Sequence, residues 1–244
     1  MRVCFLGTGG YHPNERRHTA CVMLPEIGAV FDAGTGMFRV PERLATRELF
    51  VFLTHAHLDH VVGLPHLLAP MLLGQLDRVC ISGAPEYLEA VRTHLFAPAL
   101  FPLMPAFEIT PVAPRVSLAG GATLTHCRLQ HPGGVLAFRL DWPGESLAYV
   151  TDTFADGSYV DFLRGVDLLI HECNFADGAE GWAQKTGHSY SSAVARLARD
   201  AQVGRLLLTH IDPRHPEDDP VNLASMRSIF AATEIAEDLM EIEL

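Results

Sequence analysis

Short apolar runs that end in glycine-rich or aspartate-containing turns recur along the chain, as is typical of β-strands that lead into loops. In the first half they occupy residues 3–6, 21–24, 29–31 and 49–53. In the second half they occupy residues 124–129, 135–142, 146–150, 166–170 and 205–208. Helical spacing of apolar positions appears at residues 63–73, 85–96 and 189–201. Both halves therefore predict strands with interleaved helices.

This alternation predicts an α/β protein of the αβ/βα type, a four-layer sandwich. In that architecture two mixed β-sheets pack face to face, with helices outside. The chain has 244 residues, of which 48% are hydrophobic, so it can bury a large core. No linker or low-complexity segment divides it, and we expect a single domain over residues 1–244.

Composition narrows the class of partner. The chain has 18 basic and 29 acidic residues and a formal charge of −11, which disfavours a surface built mainly for nucleic acid or anionic membranes. The composition is still compatible with a local basic patch. No apolar run approaches the roughly 18 residues of a membrane helix, and the short apolar run at the N-terminus reads as a strand rather than a signal peptide.

The cysteines give an expectation about location. They lie far apart and form no CxxC pair, which predicts reduced, buried thiols in a cytoplasmic protein. The five are Cys4, Cys21, Cys80, Cys127 and Cys173.

Residues 96–114 differ from the rest because five prolines interrupt an otherwise apolar segment. Phe96, Phe101, Met104 and Phe107 lie within it. The prolines predict that no regular element forms here. The segment is then either a loop packed on the core or an apolar wall beside an active site, and a homodimer interface here is also left open.

The strongest chemical signal is the string THAHLDH at residues 54–60, between a predicted strand and a predicted helix. His55, His57, Asp59 and His60 all emerge from one strand end. Imidazole nitrogens and carboxylate oxygens are ligands that suit zinc and related divalent ions. The segment therefore predicts a metal site.

This string resembles the HxHxDH signature of the metallo-β-lactamase superfamily, and the resemblance extends over nearly the whole chain. It implies further ligands at three more strand ends. One metal would take His55, His57 and His131, the other Asp59, His60 and His210, and Asp152 would bridge them. Asp32, after the strand at residues 29–31, resembles the aspartate that supports the metal loop by hydrogen bonds without binding metal.

The resemblance also implies the chemistry. Two divalent ions, zinc with manganese or iron as alternatives, would hold a bridging hydroxide and clamp a phosphoester. Asp59 would help to receive or orient the proton of the attacking water.

The segment TGHSYSS at residues 186–192 resembles ribonuclease Z and related phosphodiesterases. That resemblance implies that His188 is catalytic and binds no metal; the alternative is that His188 caps the helix that follows. His171 and Glu172, in LLIHECNF at residues 168–175, resemble the His-Glu string of the same group. We expect them to be supporting or structural residues.

One departure bears on the substrate. Bacterial ribonuclease Z carries a long tRNA-binding arm between the residues that correspond to His131 and Asp152, whereas here two predicted strands fill that interval as a hairpin. With the acidic charge, this favours a phosphodiesterase that acts on small phosphate diesters, cyclic nucleotides included. The alternatives are a ribonuclease Z-type tRNA 3′-processing endonuclease, a thioesterase or lactonase of the same fold, and a binding protein that has lost catalysis.

Overall fold

The computed structural model describes residues 1–215 and 217–244, and its contacts divide the chain into two compact units. Unit 1 comprises residues 1–113 and 238–243, and unit 2 comprises residues 114–237 and 244. Each unit contains one seven-stranded mixed sheet. That the whole chain acts as one domain stays a prediction.

The sheet of unit 1 has the strand order β14-β1-β2-β3-β4-β5-β6. Its strands are β1 Arg2–Gly7, β2 Cys21–Leu24, β3 Ala29–Phe31, β4 Glu48–Phe52, β5 Arg78–Gly83, β6 Glu108–Pro111 and β14 Glu241–Glu243. Strands from β14 to β3 pair antiparallel, and strands from β3 to β6 pair parallel. The parallel half places the carboxyl ends of β3 and β4 side by side, with Phe31 opposite Phe52.

The sheet of unit 2 has the order β13-β12-β11-β10-β9-β8-β7. Its strands are β7 Arg115–Ser117, β8 Thr123–Leu129, β9 Val135–Trp142, β10 Glu145–Val150, β11 Leu168–Glu172, β12 Arg205–Thr209 and β13 Thr233–Ile235. Strands from β7 to β10 are antiparallel and those from β10 to β13 are parallel. The β9–β10 pair is a tight hairpin, with Trp142 opposite Glu145, as the sequence predicts.

Within residues 1–215 and 217–244, seven short α-helices accompany these strands. They are α1 Leu58–Val61, α2 Leu68–Leu72, α3 Pro85–Ala90, α4 Val160–Leu163, α5 Glu180–Thr186, α6 Ser191–Asp200 and α7 Leu223–Ile229. The helix predicted at residues 63–73 is a 3₁₀ turn, Leu64–Leu67, followed by α2. The one predicted at residues 85–96 is α3 followed by a π-helical turn, Val91–Leu95. Of the three predicted helices, α6 forms as a single regular element.

The prediction that residues 96–114 contain no regular element is wrong, because β6 lies inside them. β6 is an edge strand that pairs with β5 on one side only, and Pro111 stands at its end, where a missing N–H costs little. Upstream of β6, the ring of Phe96 is buried and lies 5.7 Å from that of Phe101 and 5.9 Å from that of Phe107. The aromatic part of the segment thus packs on the core of unit 1, while Met104 is exposed.

All five cysteines are free thiols. Cys4, Cys21 and Cys173 are buried as predicted, whereas Cys80 and Cys127 are only partly buried. Over the part of the chain that the structure describes, no helix has the length and apolarity to span a bilayer.

Candidate metal centre

The ligand-type side chains of unit 1 come from a segment that runs from the end of β4 into α1: His55 and His57 precede the helix, and Asp59 and His60 lie in it. The rings of His55 and His57 lie 4.4 Å apart between centroids, and those of His55 and His60 lie 4.2 Å apart. Nε2 of His60 lies 3.5 Å from Oδ2 of Asp59. His55 and His60 are buried, Asp59 is partly buried and His57 is exposed. The segment thus gathers three imidazoles and a carboxylate.

Asp32 supports this segment from the end of the neighbouring strand β3. Its fully buried carboxylate accepts hydrogen bonds from Thr54 N at 2.8 Å and Thr54 Oγ1 at 2.9 Å. It also accepts a bond from His60 Nδ1 at 2.8 Å. The predicted hydrogen-bonding role of Asp32 is therefore confirmed.

These contacts set the tautomers of the histidines. Because a carboxylate only accepts, His60 carries its proton on Nδ1, and Nε2 keeps a lone pair. The Thr54 hydroxyl donates to Asp32, so His55 Nδ1, 3.0 Å from Thr54 Oγ1, is the donor of that pair. Both imidazoles thus present Nε2 as a metal ligand, the arrangement that outer hydrogen bonds impose on metal-binding histidines.

In unit 2, the ligand-type side chains come from separate strand ends. His131 follows β8, Asp152 follows β10 and His210 follows β12. Nε2 of His131 lies 3.8 Å from one carboxylate oxygen of Asp152, and Nε2 of His210 lies 3.2 Å from the other. Nδ1 of His131 donates to the carbonyl of Gly187 at 3.0 Å, so its Nε2 also keeps a lone pair.

The backbone is strained at three of these strand ends. Asp32, Asp152 and His210 have φ values of +59°, +47° and +53°, a left-handed conformation that residues other than glycine adopt at a cost. Such residues cluster where a site requires a particular side-chain direction. Strand ends in both units thus share this left-handed backbone.

His188 lies in the same part of unit 2 and is held by Glu172. Its Nδ1 donates to Glu172 Oε1 at 3.0 Å, and Glu172 is fully buried at the end of β11. The Glu172 carboxylate also accepts from Thr153 N at 2.8 Å and Ser189 N at 3.1 Å, so it is fixed in place. Helix α6 begins at Ser191 with Tyr190 as its N-cap, so His188 does not cap it.

One ligand atom each from Asp152, His188 and His210 lies within 4.8 Å of the others. This geometry also fits His188 as a ligand.

Gly187 explains how His188 reaches this position. It ends α5 with φ +74°, and a Cβ built there would lie 2.9 Å from Pro132 Cδ and 3.0 Å from His131 Nδ1. Only glycine combines this conformation with so close an approach.

The donor set in each unit fits a divalent cation of the zinc type. Both units contain a carboxylate and at least one imidazole whose hydrogen bond fixes its tautomer. Several of the histidines are buried, which is unusual for this residue type unless it has a partner. Of the predicted ligands, the structure gathers His55, His57, Asp59 and His60 in unit 1. It gathers His131, Asp152 and His210 in unit 2.

From the sequence, we expect Glu172 to be a supporting or structural residue, and the structure shows which side chain its carboxylate holds. Its strand-end position was visible, but its hydrogen bond to His188 joins residues sixteen positions apart and depends on the fold.

Comparisons with known proteins define the class. The family model described as "Beta-lactamase superfamily domain" matches residues 28–211. The solved structure of the metallo-β-lactamase fold protein YhfI from Bacillus subtilis superposes with a TM-score of 0.80 at 23% identity, covering 100% of this chain and 99% of that one. The chain belongs to the β-lactamase superfamily, in its ribonuclease Z-like branch, and is a metal-dependent hydrolase. The predicted αβ/βα fold class is confirmed with it.

The branch rests on relatives named ribonuclease Z. The ribonuclease Z of Methanosarcina acetivorans is 28% identical over 302 aligned positions, covering 100% of this chain and 98% of that protein. That of Parasynechococcus marenigrum is 31% identical over 314 positions, with the same coverage. These relatives match the ribonuclease Z alternative of the sequence analysis better than its main reading. Since 302 exceeds the 244 residues here, the first relative contains segments that this chain lacks.

Proposed function

We propose that the protein is a phosphodiesterase that cleaves RNA in the manner of ribonuclease Z and acts as one catalytic domain over residues 1–244. The observation that carries the proposal is the likeness, along the entire chain, to proteins named ribonuclease Z. The hydrogen-bonded pair Glu172–His188 supports it, because phosphodiester cleavage benefits from a proton donor beside the metal ligands.

The proposed ligands of two divalent ions, zinc first with manganese and iron as alternatives, are seven side chains. They are His55, His57, Asp59, His60, His131, Asp152 and His210. When bound, two such ions neutralise charge on a phosphodiester and lower the pKa of water. Their number and identity are part of the proposal.

The residues of the chain then have distinct tasks. His188 would act as an imidazolium: Nδ1 donates to Glu172, and Nε2 would give its proton to the departing oxygen or contact the phosphate. Asp59, whose Oδ2 accepts a bond from Tyr11 N at 2.8 Å, is oriented to accept the proton of the attacking water. Asp32 and the carbonyl of Gly187 keep His60 and His131 in the tautomers that metal binding needs.

A second candidate function is hydrolysis of small phosphate diesters, cyclic nucleotides included. The specific observation in its favour is the β9–β10 hairpin, which turns between Trp142 and Glu145 and leaves no arm in the interval from His131 to Asp152. The net charge of −11 supports it as well.

The test is a substrate panel on zinc- and manganese-reconstituted protein. A precursor tRNA with a 3′ trailer is compared with a 2′,3′-cyclic nucleotide, bis-p-nitrophenyl phosphate, a thioester and a lactone. The proposal expects the highest kcat/KM on precursor tRNA. Faster turnover of the small diesters would favour the second candidate, and turnover of only the thioester or lactone would overturn both.

A further inference from the structure

A cleft of about 690 Å³ lies wholly within unit 2, beside the candidate ligands. Its walls come from the end of β8, the loop after β10 and the end of α5, and His131 and Gly187 are part of them. His131 is itself a candidate metal ligand, and its Nε2 lies 3.8 Å from the Asp152 carboxylate. The cleft therefore lies next to the candidate ligands of unit 2. Its volume is in the range of small-molecule sites.

The cleft is lined by groups that complement a nucleotide. Arg128 and Lys185 supply positive charge, Phe154 supplies a partly exposed aromatic ring, and Asp156 supplies a hydrogen-bond acceptor. Aromatic rings stack on bases of any sequence, and cations pair with phosphate.

Lys185 is unusual for this chain. It is the sole lysine, since the other 17 of the 18 basic residues are arginines. It stands two residues before Gly187, and its Nζ lies 4.8 Å from the centre of the Trp182 ring, one turn back on α5. Lysine is a compact point charge suited to a phosphate, whereas arginine favours planar, bidentate partners.

We propose that this cleft binds the nucleotide adjacent to the scissile phosphodiester, an inference that rests on the proposed function. Lys185 and Arg128 contact the neighbouring phosphate, Phe154 stacks on the base, and Asp156 accepts a hydrogen bond from a sugar hydroxyl. These contacts select nucleotide substrates over diesters of similar charge that lack a base.

The first test is binding of adenosine 5′-monophosphate to zinc-reconstituted protein, measured by calorimetry. Lys185→Ala should weaken binding about 5- to 10-fold, Lys185→Arg should weaken it less, and the matched charge removal Arg199→Ala should leave it unchanged. Arg199 is exposed on α6, pairs with Asp200 and does not line the cleft. Phe154→Leu should weaken adenosine 5′-monophosphate about 5-fold or more but leave ribose 5-phosphate unaffected. Equal affinities for wild type and Lys185→Ala would overturn the proposal.

The second test uses the single lysine directly. An N-hydroxysuccinimide ester acylates Lys185 and the terminal amine, and mass spectrometry resolves the two products. Adenosine 5′-monophosphate should slow labelling of Lys185 several-fold without slowing the terminal amine, which is the internal control. Equal labelling of Lys185 with and without the nucleotide would contradict the cleft assignment.

Turnover by the same preparations separates this inference from the proposed function. If wild type hydrolyses nucleotide diesters, Lys185→Ala should raise KM with little change in kcat. An unchanged KM would overturn the cleft assignment and leave the phosphodiesterase proposal intact. If wild type hydrolyses no diester, the proposed function fails, and the binding and labelling results still decide whether the cleft takes a nucleotide.

Discussion

The two units gather their candidate ligands in different ways. In unit 1, His55, His57, Asp59 and His60 lie within six consecutive positions that follow β4 and run into α1. In unit 2, the corresponding residues come from strand ends spread between His131 and His210. Yet the sheets share a plan, an antiparallel half joined to a parallel half, and in both units the ligand-type residues follow strand ends.

This difference shows which contacts position the ligand-type side chains of each unit. The unit 1 ligands are ordered largely by one loop and one buried support, Asp32. Those of unit 2 depend on the register of β8, β10 and β12 and on the close approach of Gly187 to His131. We therefore expect substitutions in unit 2 to affect more of the site than single substitutions in unit 1.

The largest effect is expected for Asp152→Asn. Asparagine tolerates the left-handed backbone at this position but removes the charge proposed to bridge the ions. Since bound metals contribute several kcal/mol of charge stabilisation, turnover should fall about 10³-fold and metal content should drop at both sites. Elemental analysis and diester kinetics would measure this, with the exposed Asp200→Asn as the control. Loss of only one equivalent would show that Asp152 does not bridge.

His188→Ala should be next, with about a 10²-fold loss of kcat on a diester that has a poor leaving group. A nitrophenolate leaving group needs no protonation, so the loss of kcat on a nitrophenyl diester should be smaller. The metal content should stay unchanged. The exposed His94→Ala is the matched control. If His188→Ala strips a metal, His188 is a ligand with Asp152 and His210, and its assigned role is wrong.

In unit 1, Asp32→Asn should weaken metal binding about 10-fold, as outer supports of metal ligands commonly do. The amide can still accept from Thr54, but it no longer offers His60 Nδ1 a charged acceptor. A competition titration with a chromophoric chelator measures the affinity. Affinity equal to that of wild type would mean that Thr54 and the fold alone fix the unit 1 ligands.

A pair of glycine substitutions measures how much unit 2 depends on close approach. Gly187→Ala places an alanine in the left-handed conformation, which costs about 1–2 kcal/mol of folding free energy. Its Cβ also collides with Pro132 and His131. Gly157→Ala adds the same backbone cost at φ +82° with no heavy atom within 4 Å of the new Cβ. Urea unfolding should show a larger loss for Gly187→Ala. Equal losses would show that the contact with His131 is easily relaxed.

The smallest effect is a pH dependence of stability in unit 2. Burial lowers the pKa of His171, whose Nε2 lies 2.9 Å from the hydroxyl of Tyr159. In the unfolded chain, His171 binds a proton at a higher pH than it does in the folded protein. The free energy of unfolding should therefore fall as pH drops below about 6.5. Urea unfolding at pH 7.5 and 5.5 measures the change, and His171→Gln should reduce it. The pKa values of His18 and His66 in unit 1 are also lowered by burial, and an undiminished change in the variant would show that His171 is not its source.

The sequence predicts most of the strands and the whole unit 1 ligand loop, because both depend on local pattern. It misses β5, β7, β13 and β14, and it misses β6, where prolines conceal an edge strand. It also merges short helical turns into longer helices. The unit 2 ligands could be located only through a family resemblance, since their spacing contains no local signal. The composition shows that Lys185 is the sole lysine, but its place in the wall of the cleft that His131 also lines became apparent only from the structure.

The return of the chain to unit 1 affects how the protein is synthesised. Residues 238–243 supply β14, which pairs with β1, and Asp238 accepts hydrogen bonds from Thr8, the His18 amide and Arg39. During translation, Thr8, His18 and Arg39 therefore lack their hydrogen-bond acceptor until more than two hundred residues have been made. Unit 2, although encoded later, can complete its sheet from contiguous sequence. The sheet of unit 1 therefore stays one strand short until the last residues of the chain have been translated.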